Sequence, residues 1–94
     1  MNTNHGKENP LRERALSILR EILRKQQEFV ADDLYRALKD AGFSEDDRVR
    51  LIGACIRTAS ARDWATKTDR AQMSQRQGSN AQFLWISNLF KHRA

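Results

Sequence analysis

The stretch Ala41-Gly42-Phe43-Ser44-Glu45-Asp46 constrains this chain more than any other. Just before it, Leu34, Ala37, Leu38 and Ala41 recur at three- and four-residue spacing, the apolar stripe of a helix that starts near Ala31. Asp32 and Asp33 fall in its first turn, near the positive end of the helix dipole. Gly42 supplies the left-handed backbone that stops such a helix, and Phe43 can fold back onto its last turn. Ser44 then restarts the chain, with an acid three residues on in a capping-box-like pattern. A stop and a start this close leave no room for a loop. Two helices joined by a tight turn follow, a helix-turn-helix arrangement.

The flanks complete the outline. Asn9-Pro10 reads as the capped start of a first helix, since proline at the first helical position sacrifices no hydrogen bond. Leu11, Ala15, Ile18, Leu19, Ile22 and Leu23 give it one stripe, ending near Gln27, while residues 1–9 are expected to be disordered. Phe29-Val30 favours a short strand. The third helix is expected over 45–62 with Val49, Ile52, Gly53, Ile56 and Ala59/Ser60 inward. Trp64, Thr66 and Thr68 then alternate with Ala65 and Lys67, and Phe83-Leu84-Trp85-Ile86 is a compact β-like run. Paired as a hairpin, they leave a long polar loop over 69–82. The last residues, 89–94, read as a short basic tail in which a helical turn docks Leu89 and Phe90. The expected fold is mainly α with a small β-hairpin (α+β): three helices and a two- or three-stranded sheet in one domain, residues 10–88.

Charge is segregated along the chain. Residues 1–47 hold eight Lys/Arg against ten Asp/Glu, and residues 48–94 hold nine against two, Asp63 and Asp69. The net +5 therefore arises wholly in the second half, which suggests one face built for a polyanion. No apolar run approaches the roughly 20 residues needed to span a bilayer. The first ten residues lack the apolar stretch of a secretory signal. The expected location is cytoplasmic, associated with the nucleoid or in the host cytoplasm if phage-encoded, and no membrane partner is expected. Cys55, the single cysteine, lies in a helical pattern and reads as a small core residue.

Taken together, "FVADDLYRALKDAGF", "LIGACIRTASARDW" and "QMSQRQGSNAQFLWIS" resemble a winged helix-turn-helix DNA-binding domain, similar to small phage- and prophage-encoded winged-helix proteins. The resemblance covers roughly residues 11–87. It implies that the third helix enters the major groove of double-stranded DNA and that the hairpin loop, the wing, lies along the backbone or minor groove.

The residues can be read for that chemistry directly. With Ile52 and Ile56 inward, about 100° per residue turns Arg50, Ala54, Arg57, Thr58 and Ala61 outward. Small residues let a helix approach base edges, where arginine pairs bidentately with guanine for ~1–3 kcal/mol of discrimination. Arg48 and Arg62 flank this face and suit phosphates. Asp46 and Asp47 oppose an approaching phosphate unless capping occupies them. In the wing, Lys67, Arg70 and Arg76 carry charge, and Gln72, Ser74, Gln75, Gln77, Ser79, Asn80 and Gln82 supply neutral donors.

Other functions find less support. His5 and His92 lie at opposite ends, so no metal-ligand spacing exists, and the four glycines are too scattered for a phosphate loop. No enzyme, metal site or cofactor is expected. Single-stranded binding usually needs aromatic platforms, and all seven aromatics are required by the core or hairpin. The expectation is a non-enzymatic double-stranded DNA-binding protein, a transcriptional regulator or phage replication accessory factor. The competing expectation is an adaptor for a protein partner, through an apolar patch of Leu51, Ala54 and Cys55. A homodimer through the long stripe of the first helix is compatible with either.

Overall fold

A computed structural model describes residues 5–73 and 81–91, and for residues 5–9, 72, 73 and 81 the backbone alone. The elements in chain order are α1 (His5–Lys25), β1 (Glu28–Phe29), α2 (Ala31–Asp40), α3 (Glu45–Ala61), β2 (Ala65–Met73) and β3 (Ala81–Ser87). Three helices and a three-stranded antiparallel sheet of order β1-β3-β2 make this an α+β fold. No helix among the described residues is long and apolar enough to cross a membrane.

The turn from α2 to α3 follows the sequence closely. Gly42 adopts φ 93°. Its N–H donates to the Lys39 carbonyl at 3.0 Å, and the Phe43 N–H to the Leu38 carbonyl at 3.0 Å. That pair of bonds is a Schellman stop, with the apolar residue after the glycine returned to the core. At the restart the Asp47 N–H donates to Ser44 Oγ at 3.1 Å. The acid does not complete the capping box, because its carboxylate turns to Arg50 instead. At the start of α2 the Asp33 carboxylate does reach back, accepting from the Val30 N–H at 3.0 Å.

A second stop of the same kind ends α3. The Trp64 N–H donates to the Ala59 carbonyl at 2.8 Å and the Asp63 N–H to the Ser60 carbonyl at 3.1 Å. The left-handed residue here is Asp63, at φ 61°. Aspartate tolerates that region better than most side chains, and Asn88 Nδ2 donates to the Asp63 carbonyl at 2.9 Å.

β1 takes Glu28–Phe29 rather than Phe29-Val30, α3 ends at Ala61 rather than at 62, and both ends of α1 differ from the sequence expectation. α1 begins at His5 rather than at an Asn9 cap, so Pro10 lies inside it. Proline there removes the N–H that would reach the Gly6 carbonyl and crowds that carbonyl with its ring, a cost confined to the first turns. It ends at Lys25, two residues before the expected Gln27, where Gln26 Nε2 instead donates to the Glu28 carbonyl at 3.0 Å. After β3, residues 88–91 form no helical turn, though Leu89 packs against the core.

The core joins Leu16, Leu19 and Leu23 of α1, Leu34 and Leu38 of α2, Leu51, Ile52, Cys55 and Ala59 of α3, and Phe29, Phe43 and Ala65. Each buried leucine contributes about 2 kcal/mol. The inward stripe of α3 differs from that expected. Val49 is 62% exposed, whereas Leu51 is 2% exposed and Cys55 fully buried. Turning the helix this way buries a leucine in place of a valine and lets Arg48 lie on Tyr35. It also removes the apolar patch of Leu51, Ala54 and Cys55.

The hairpin departs most from the sequence reading. β2 continues to Met73 and β3 starts at Ala81, so only residues 74–80 separate the strands, not the expected 69–82. The register runs Ala65↔Ser87, Thr66↔Ile86 and Lys67↔Trp85, then resumes at Ala71↔Phe83. Thr68, Asp69 and Arg70 on β2 thus face Leu84 alone on β3, a bulge. Thr68 repairs it from its side chain, donating to the Leu84 carbonyl at 2.6 Å and accepting from the Arg70 N–H at 3.1 Å. No periodicity rule sees a strand through such a bulge.

At Gly42 nothing lies within 4 Å of where a Cβ would sit, so Gly42→Ala tests backbone conformation alone. It is expected to lower stability in urea unfolding by about 1 kcal/mol, while Asp63→Gly raises it by a few tenths. Burial pushes the Cys55 thiol up to about 11, against a small lowering by Arg12. A disulfide reagent at pH 8 is therefore expected to leave Cys55 unmodified in the folded protein and to modify it fully in urea.

Candidate nucleic-acid interface

The outward side of α3 carries exposed Val49, Arg50, Arg57 and Ala61, with Gly53, Ala54 and Thr58 half-buried between them. Arg50 Nη2 pairs with Asp47 Oδ1 at 2.8 Å. That hydrogen bond, helped by Ser44, holds the Asp47 carboxyl below the usual carboxylate range. Arg57 folds back over Gly53, where a Cβ would stand 3.3 Å from its Nη1. Its donors engage no group among the described residues. Thr58 Oγ1 donates to the Ala54 carbonyl at 3.0 Å, so its hydroxyl proton is held inside the helix.

The two flanking arginines differ from one another. Arg48, expected to meet phosphates, is half-buried. Its Nη1 donates to the Phe43 carbonyl at 2.6 Å, its guanidinium lies 4.8 Å from the Tyr35 ring centroid, and its Nε has no partner. It ties α3 to the turn and to α2, which is a structural role. Arg62 remains exposed at the end of α3, with its guanidinium 5.4 Å from the Trp64 centroid.

On the hairpin, Lys67 Nζ sits 3.9 Å from the Phe83 centroid, and that ring is 46% exposed. Arg70 reaches across the sheet to Glu28, Nη2 to Oε2 at 2.8 Å, so part of its charge is neutralised. Gln82, expected as a free donor, is engaged elsewhere. Its Oε1 accepts from the Asp32 N–H at 3.1 Å and its Nε2 donates to Asp32 Oδ2 at 3.2 Å. Asp32 is 3% exposed, so this pair satisfies a buried carboxylate at the start of α2. Gln72 is described only in its backbone, and Ser74, Gln75, Arg76, Gln77, Ser79 and Asn80 lie outside the described residues.

The structure thus brings together Arg50, Ala54 and Arg57, sets Arg62 apart over Trp64 beyond the helix end, and withdraws Arg48, Thr58 and Gln82 into the fold. It adds features that periodicity missed. Val49 stands on the open face, and Phe83 forms an aromatic platform for Lys67. Arg20 of α1 shares the Trp64 ring with Arg62, at 5.5 Å from the centroid. Only the fold pairs α1 with the end of α3, so no local signal in the sequence could have found that cluster.

Comparison with known protein families, with characterised proteins and with solved structures gives no match in any of the three.

Arg48→Ala is expected to destabilise the fold by about 1–2 kcal/mol in thermal or urea unfolding, because it leaves the Phe43 carbonyl without its donor and bares the Tyr35 ring. Unchanged stability would return Arg48 to the set of surface cations.

Proposed function

We propose that this chain is a winged helix-turn-helix protein that binds double-stranded DNA without catalysis, as a regulator or accessory factor. In this reading α3 lies in the major groove and the β2–β3 hairpin is the wing along the neighbouring backbone. The observation that carries it is the outward face of α3: Arg50 and Arg57 with Gly53 and Ala54 between them. Small residues allow close approach to base edges, and a guanidinium can then reach guanine O6 and N7. Arg57 is the principal reader, since its donors are open; Arg50 contacts DNA while held by Asp47. Lys67 and Arg70 serve the backbone, with Arg76 as a further wing cation.

Element order and sheet order support the same reading. The helix pair precedes a hairpin whose strand β3 also pairs with β1, antiparallel, at Glu28↔Ile86 and Phe29↔Trp85. The bonds between Gln82 and Asp32 fasten the hairpin to the start of α2, so hairpin and helix pair would meet DNA as one rigid surface. An adaptor function loses the patch that suggested it, because Leu51 and Cys55 are buried.

The test is fluorescence anisotropy on a duplex of about 30 base pairs across a salt series. Four to six phosphate contacts correspond to a log–log slope of roughly −4 to −5. On a selected site, Arg57→Ala is expected to lose about 1–3 kcal/mol, roughly 5- to 160-fold, and to relax preference at one position. Arg50→Ala should also weaken binding, since it removes one cation and leaves the Asp47 carboxylate without its arginine to face the phosphates. Absence of binding at low salt would overturn the function, and wild-type affinity for both variants would overturn the placement of α3.

A further inference from the structure

The described arginines fall into two sets. Arg14, Arg24, Arg36, Arg48, Arg50 and Arg70 each donate to a carboxylate or a backbone carbonyl. Arg12, Arg20, Arg57 and Arg62 donate to no group among the described residues. Arg57 belongs to the outward face of α3. The other three lie elsewhere, along the seam where α1 packs on α3.

Arg20 and Arg62 come from different helices and share one ring, their guanidinium carbons 5.5 and 5.4 Å from the Trp64 centroid. A guanidinium over a ring face is held by its charge and leaves its N–H donors available, and neither of these two donates to a described group. Both side chains are therefore held in place with their donors unused. Arg12 stands eight residues before Arg20, about 12 Å along the helix axis. It is near enough to Cys55 of α3 for its charge to act on that thiol. All three side chains are exposed. The nearby acids do not neutralise them: Glu21 is taken by Arg24, and no ion pair joins Asp63 to either stacked guanidinium. Downstream, Asn88 is fastened to the Asp63 carbonyl and to Thr66.

Two guanidinium groups held over one ring, with a third exposed arginine on the same helix and no carboxylate partner among the described residues, match a polymer of phosphodiesters, whose oxygens accept such forks in pairs. We propose that Arg12, Arg20 and Arg62 form a second backbone-binding surface for duplex DNA along the α1–α3 seam, a role that rests on the DNA-binding function proposed above. It carries no base readout, because no side chain on it approaches a base edge in the way α3 does. Its part is to extend the footprint beyond the groove that α3 occupies, and so to raise affinity equally for all sequences.

The test compares the wild type with two triple variants, Arg12→Gln/Arg20→Gln/Arg62→Gln and Arg12→Lys/Arg20→Lys/Arg62→Lys. Binding to a 30-base-pair duplex is measured by anisotropy from low to moderate salt, after circular dichroism has matched their folds. The glutamine variant is expected to flatten the log–log salt slope by roughly 2–3 and to weaken specific and random duplexes alike, each contact being worth about 0.9 in slope. The lysine variant is expected to keep most of the slope, since charge rather than ring stacking makes the phosphate contact. A glutamine variant with wild-type slope overturns this surface while leaving the α3 interface standing. Equal losses in both variants overturn it as well, by showing that the arginines act through the packing of Trp64. A wild type that does not bind the duplex overturns the DNA-binding function and this surface with it.

Discussion

Gly42 sits at φ 93° in open space, with nothing near enough to explain the conformation by packing. The constraint is purely one of backbone. A residue with a Cβ resists the left-handed region, and without that conformation the Phe43 and Gly42 N–H groups cannot reach back to Leu38 and Lys39. The direction in which α3 leaves α2 depends on those bonds. Phe43 is returned to the core, and its carbonyl is presented to Arg48. A second left-handed residue, Asp63, ends α3 and turns the chain into β2. Between these two points α3 is fixed in length and rotation. Leu51, Ile52, Cys55 and Ala59 pack inward, and Arg50 and Arg57 are left outward as a consequence.

Neighbouring groups, more than position in sequence, decide which charges this protein offers to a partner. Arg48 and Arg50 are two residues apart on one helix, yet one stacks on Tyr35 and the other pairs with Asp47. Arg70 crosses the sheet to Glu28. Exposed pairs of this kind contribute little to stability and are screened by salt. Arg20 and Arg62 differ in kind, because both lie over the Trp64 ring and donate to no described group. Basic side chains partly quenched by a local acid therefore coexist with two held only by a ring face.

The hairpin illustrates how irregular pairing hides from a sequence. Its polar residues look like loop, since Gln, Ser and Arg carry no alternating apolar signal. β2 nevertheless runs to Met73, because Thr68 uses its hydroxyl where the bulge interrupts the ladder. Gln82, chemically suited to a phosphate, is instead the partner of a buried carboxylate fifty residues away. Each side-chain role was set by a contact that forms only once the strands and helices have assembled.

What the sequence determined by itself is the local punctuation and the charge plan. Gly42, Ser44 and the stripes of α1 and α2 are local signals, governed by backbone sterics and by the period of a helix. The basic second half is a matter of composition. The α+β class and the order of elements follow from these. The tertiary structure alone decided the rotation of α3, which exchanges Val49 for Leu51, and the stop at Asp63, where no glycine announces it. It also decided the bulge at Thr68, the removal of Arg48 and Gln82 from the surface, and the meeting of Arg20 with Arg62 over Trp64. Those outcomes depend on pairs of residues distant in the chain. Their energies are small differences between competing partners, and only the packed fold brings the competitors together.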